Sequence, residues 1–138
     1  MNTEKKTELI EKTMNPILLP KGFKYKNSFE DIDGNTWLYS RKCKWGGMQI
    51  IDIYDKFTYI DLKFSINASG YRPMNIRQLL ALNSDQINKK IYIGYRYNDD
   101  TEFFNHVMLF KQTIMDYGLT YLEEINREYE LKQGIAPE

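Results

Sequence analysis

Between Phe23 and Ile66 the chain repeats one arrangement: a short run of aromatic and β-branched residues, a tight turn, and another run. Asp33-Gly34 and Gly46-Gly47 supply two of the turns. Such pairs suit a two-residue hairpin, because a type I′ turn needs positive φ at both central positions. A third turn is expected at Asp55-Lys56. The strands then run Phe23 to Ile32, Asn35 to Trp45, Met48 to Tyr54 and Phe57 to Asn67, as an antiparallel meander.

Two-residue turns fix a register, and a register sorts side chains onto two faces. On one face fall Phe23, Tyr25, Phe29, Leu38, Ile51, Ile53, Ile60, Leu62, Phe64 and Ile66, the expected core. The other receives Trp37, Tyr39, Arg41, Cys43, Trp45, Met48, Ile50, Asp52, Tyr54, Phe57, Tyr59, Asp61 and Lys63. In this register Arg41 opposes Asp52, Tyr39 opposes Tyr54 and Asp52 opposes Tyr59. Rings mixed with charges suit a contact surface better than a core.

Outside this stretch the period is helical. Thr3 to Met14 reads as a first helix capped by Thr3, with a stripe of Leu9, Ile10 and Met14, stopped by Asn15-Pro16. After the Ser69–Pro73 loop, Met74 to Asn83 reads as a short helix. Lys90 to Tyr97 alternates as a fifth strand at a sheet edge. From Thr101 the stripe Phe103, Val107, Phe110, Ile114, Tyr117 continues into Leu122 and Ile125. Gly118 and the capping box Thr120-x-x-Glu123 leave one helix or two open. Residues 1–138 form one α+β domain, an antiparallel sheet of four to five strands with helices on one face and a frayed tail over 134–138.

Charge narrows the function classes. Nineteen basic residues balance nineteen acidic ones, without the basic excess of a nucleic-acid binder. The charged N-terminus lacks the apolar core of a signal peptide, and no apolar run is long enough to span a membrane. A single cysteine fits a reducing compartment, so the expected location is the cytoplasm. One cysteine and one histidine leave no zinc set, and no cofactor motif is present. His106, beside the apolar stripe of its helix, reads as structural, and Cys43 as a packing residue. Asp31-Ile32-Asp33-Gly34-Asn35 lacks the glycine and glutamate positions of a calcium loop and reads as a hairpin.

Asp52 followed by Asp61-Leu62-Lys63 resembles the metal-site arrangement of restriction-endonuclease-like nucleases. There carboxylates hold Mg²⁺ and the lysine positions the nucleophile. Solvated charges on an exposed sheet face account for the same residues. The aromatic face offers the main candidate binding set: Trp37, Tyr39, Arg41, Asp52, Tyr54, Tyr59 and Asp61. Trp, Tyr and Arg are the usual anchors of protein interfaces; a small-molecule pocket on this face is a further alternative.

The order of features resembles a family of small bacterial domains, domain of unknown function 4304. The likeness is carried by Pro20-Lys21-Gly22-Phe23-Lys24, Trp37-Leu38-Tyr39-Ser40-Arg41-Lys42, Gln49-Ile50-Ile51, Phe64-Ser65-Ile66-Asn67 and Tyr117-Gly118-Leu119-Thr120-Tyr121-Leu122. The chain is more loosely similar to small immunity proteins that accompany secreted bacterial toxins. The family resemblance implies an α+β fold, and neither likeness supplies catalytic residues.

Overall fold

The computed structural model describes residues 1–30, 34–83 and 94–135. Its order is α1 (Thr3–Leu18), a 3₁₀ turn (Leu19–Lys21), β1 (Lys24–Glu30), β2 (Gly34–Lys42), β3 (Met48–Asp55) and β4 (Tyr59–Ile66). There follow β5 (Met74–Asn75), α2 (Ile76–Leu82), β6 (Tyr95–Arg96) and α3 (Asp100–Thr113). A π-helical segment (Ile114–Gly118) and α4 (Leu119–Lys132) complete it. The sheet runs β1-β2-β3-β4-β5 with β6 also on β4, and every pairing is antiparallel. This is the α+β architecture expected from the alternating and helical periods.

The register differs from the one the turn residues suggest. Tyr25 pairs with Tyr39, Tyr39 with Ile51, and Ile51 with Phe64. Gly34 does not sit in a turn: it opens β2 opposite Glu30, and residues 31–33 of the expected hairpin lie outside the described residues. Between β2 and β3 five residues intervene, with Cys43 N donating to Gly47 O at 2.7 Å and Gly46 N to Cys43 O at 3.1 Å. The third turn is centred on Phe57-Thr58 rather than Asp55-Lys56, closed by Lys56 N donating to Tyr59 O at 2.9 Å.

These longer connections turn one strand over. Each of the first two hairpins is displaced by an odd number of positions, so β2 reverses its faces while β1, β3 and β4 keep theirs. Trp37 and Tyr39 therefore point to the helices, and Leu38 points away. The helix-covered face carries Trp37, Tyr39, Ile51, Ile53, Ile60, Leu62 and Phe64, all fully buried. They pack against Ile10, Met14 and Leu18 of α1 and Phe103, Val107 and Phe110 of α3.

The helices also depart from the punctuation expected of them. Asn2, not Thr3, caps α1, its side chain accepting from Lys5 N at 2.8 Å. The helix runs through Pro16 to Leu18. Proline removes only the bond its own N–H would make to the Lys12 carbonyl, and continuation seats Leu18 fully in the core. Met74 and Asn75 pair with β4, and α2 begins behind an Asn75–Gln78 capping box. Of the expected fifth strand only Tyr95–Arg96 is described as strand; residues 90–93 lie outside the described part.

No break occurs at Gly118. Thr120 lies inside α4 and caps nothing, while the π segment joins α3 to α4. A Cβ on Gly118 would stand 2.4 Å from Phe64 Cε1, so glycine is what lets the helix backbone rest on that ring. At the far end of α4, Gly134 N donates to Leu131 O and Ile135 N to Glu130 O. With Gly134 at φ 72°, this is a Schellman closure. Residues 136–138 lie outside the described part.

Lys6 of α1 ties the end of the sheet to the helices. Its Nζ donates to Asp55 Oδ2 and to Tyr97 Oη, both at 2.8 Å, and Tyr97 Oη donates to Asp55 Oδ1. Tyr97, Phe103 and Phe57 rings surround the ammonium at 5.0, 5.3 and 5.8 Å. A buried ion pair is costly to desolvate unless its remaining donors and acceptors are met. Here the tyrosine hydroxyl and the Phe57 amide meet them.

Candidate functional site

The residues expected to share a binding face divide between two faces. Trp37, Tyr39 and Arg41 lie on the helix side. Trp37 Nε1 donates to Thr7 Oγ1 at 3.1 Å, and Tyr39 Oη donates to Asn15 Oδ1. Each ring thus buries its apolar body and satisfies its polar tip on α1. Arg41 donates to the Lys21 carbonyl and through Nε and Nη2 to Gln49 Oε1, and it stacks over Phe23 at 4.5 Å. It fastens the end of the sheet to the turn after α1.

Asp52, Tyr54, Tyr59, Asp61 and Lys63 share the opposite face, as the alternation of β3 and β4 requires. Asp52 is paired with Lys63 and with Leu38, and Tyr54 with Asp61. The expected pairs Arg41–Asp52, Tyr39–Tyr54 and Asp52–Tyr59 do not form. Tyr54 Oη donates to Asp61 Oδ2 at 3.2 Å, and Leu62 N donates to Asp61 Oδ1 at 2.8 Å. Tyr59 meets the Tyr54 ring edge-on at 6.5 Å, and Lys63 Nζ lies 5.0 Å from the centre of the Tyr54 ring.

Burial raises the pKa of both carboxyls above the usual 3.8, against the lowering effect of Lys63. For Asp61 the Leu62 amide and the Tyr54 hydroxyl also oppose the rise. Asp52 Oδ1 is buried with no hydrogen-bond partner among the described residues. The Tyr54 hydroxyl is held protonated by burial and by Asp61 beside it.

Around this cluster the same face carries half-buried Thr36, Leu38, Ser40, Met48 and Ile50. Leu38 is the residue of this face that turn-based reasoning missed, since it placed Leu38 in the core, while Ile50 was already assigned here. The signal was present in β2 itself: Trp37 and Tyr39 together offer far more apolar area on one side than Leu38 does on the other. At the sheet margin Arg77 stacks over Tyr95 at 4.1 Å, and a Cβ on Gly94 would stand 2.7 Å from the Tyr59 ring.

The remaining candidates, His106 and Cys43, lie apart from this cluster. His106 Nε2 lies 2.8 Å from the Arg96 carbonyl, which can only accept, so that nitrogen carries the proton. Cys43 is half-buried, its thiol pKa raised by burial and by Glu130. It borders a cavity of about 400 Å³ between the β2–β3 connection and α4, which also involves Lys42, Gln49, Asn126, Arg127 and Glu130. Trp45 stands beside that region, donating to Asn126 Oδ1 at 2.7 Å and packing on Tyr129. Among the described residues no three His, Cys, Asp or Glu side chains group so as to hold a metal ion. No described helix is long and apolar enough to cross a membrane.

No family model matches the chain, and neither a curated protein nor a solved structure matches it.

Proposed function

We propose that this is a cytoplasmic binding protein that engages a protein partner through the face of its sheet away from the described helices, in the manner of an immunity protein. One observation carries the reading. Half-buried Leu38 and Ile50 adjoin the Tyr54–Tyr59 rings and the Asp52–Lys63 pair, on the face away from the helices. An apolar centre with tyrosines and paired charges around it is the anatomy of a specific protein contact. The balanced charge favours a protein over a nucleic acid.

The test uses Leu38→Glu and Tyr54→Ala. A partner captured by the wild type is expected to be lost with both variants, while their melting temperatures stay within a few degrees of wild type. In the immunity-like form, that partner is a toxin whose growth inhibition the wild type relieves on co-expression and Leu38→Glu does not. Undiminished capture by both variants would place the contact elsewhere.

A second reading, a metal-dependent nuclease using Asp52, Asp61 and Lys63, draws on the unpartnered Asp52 Oδ1 beside Lys63. Cleavage of DNA or RNA with Mg²⁺ or Mn²⁺ that Asp52→Asn abolishes would favour it. Absence of cleavage, or cleavage that survives the substitution, removes it.

A further inference from the structure

Among the described residues strand β1 ends the sheet order, and Lys24, Lys26, Asn27, Ser28 and Phe29 along it are exposed. An edge strand presents a row of backbone donors and acceptors able to pair with another chain. Any strand added there must set side chains of the same face opposite one another. We propose that the occupant is a second copy of this chain, joined by antiparallel β1–β1 pairing about a two-fold axis through Asn27.

The sequence of β1, Lys-Tyr-Lys-Asn-Ser-Phe-Glu, is complementary to itself in that register. Lys24 falls opposite Glu30 of the second copy, Tyr25 opposite Phe29, and Lys26 opposite Ser28. Every residue of the strand is paired, and no like charges stand directly opposite one another. Cross-strand pairs of opposite charge stabilise, and like charges directly opposite destabilise. The neighbouring two-fold registers are poorer. Centring on Lys26 pairs only residues 24–28 and sets the two Lys26 side chains opposite each other. Centring on Ser28 pairs only residues 26–30 and leaves Tyr25 outside the contact.

Phe29 gives a further reason. It lies on the helix-side face yet is 46% exposed, touched edge-on by Phe57 at 6.4 Å. In the proposed pairing it meets Tyr25 of the second copy, which is half-buried and already stacked on Tyr39 at 5.0 Å. The helices leave room. Helix α1 is bonded to Trp37 and Tyr39 of β2. At a strand spacing of about 4.8 Å, β2 and its counterpart stand roughly 14 Å apart. Packed helices need about 8–10 Å. The dimer joins the two sheets into one and doubles the face away from the described helices without covering it, so it does not depend on the partner proposed above.

Ser28 is exposed and lies opposite Lys26 of the second copy, so its charge tests the register without touching the core. Sedimentation velocity over a concentration series is expected to show a monomer–dimer equilibrium for the wild type. Ser28→Lys should raise the dissociation constant at least about fivefold, from two like-charge pairs, and Ser28→Glu should lower it. The double variant Lys26→Glu/Ser28→Lys, which restores opposite charges, should return it toward wild type. A wild type that stays monomeric throughout overturns the proposal. So does a shift in the same direction, or no shift, in Ser28→Lys and Ser28→Glu.

Discussion

The two faces of the sheet use the same residue types to opposite ends. On the helix side Trp37 and Tyr39 are fully buried, each with its polar atom bonded to a side chain of α1. On the side away from the described helices Tyr54 and Tyr59 are half-buried, meet each other edge-on, and stand among Asp52, Lys63 and the buried Asp61. Ring content does not separate a core from a contact face. What separates them is where the polar tip finds its partner: across the helix–sheet interface in one case, within the sheet surface in the other.

Truncation should break the comparison most sharply. Trp37→Ala is expected to cost about 3–5 kcal/mol in denaturant unfolding, as for other large core rings. Tyr54→Ala, on the other face, should cost about 1 kcal/mol or less, near the value of a cross-strand pair. Equal costs would mean that this face is a second core. Next in size, Gly118→Ala drives a methyl group into Phe64 and should cost about 1–3 kcal/mol as an overpacked contact. Tyr39→Phe keeps the ring and removes only the bond to Asn15, for about 1 kcal/mol.

The smallest effect sharpens the electrostatics of the Tyr54 face. Burial raises the Asp52 carboxyl pKa above 3.8, so the folded chain holds that proton to higher pH than the unfolded chain. Stability is therefore greatest in acid with respect to this group, and declines as pH rises from 3.8 through the folded value. Asp52→Asn removes that decline. Thermal melts across pH should show a flatter profile and a variant at least as stable as wild type at neutral pH, with the difference vanishing in acid.

Much of the fold was legible because it follows from alternation within one strand. Ile51 and Ile53 against Asp52 and Tyr54, and Leu62 and Phe64 against Asp61 and Lys63, declare their faces without reference to any neighbour. The face of β2 was lost because it was inferred from turn length. Gly34 resembles a turn residue, yet it opens β2 with φ 100°, where a Cβ would stand 2.1 Å from the Asp55 carbonyl oxygen. Its need for glycine arises on the neighbouring strand β3, far along the chain, which no local pattern reveals. The same holds at Pro16, where Leu18 in the core outweighs one lost hydrogen bond, and at Gly118, whose partner Phe64 lies far off in sequence. Of the candidate site, Asp52, Tyr54, Tyr59 and Asp61 came from alternation and stand together. Trp37, Tyr39 and Arg41 came from the turn-based register and do not.

The orientation of β2 is the claim on which both the core and the opposite face rest, and nuclear magnetic resonance reads it directly. The Trp37 indole N–H is expected to show a nuclear Overhauser contact to the Thr7 side chain and slow exchange with solvent, given its 3.1 Å bond to Thr7 Oγ1. Rapid exchange of that proton, together with contacts from the Trp37 ring to Tyr54 or Asp52, would contradict it.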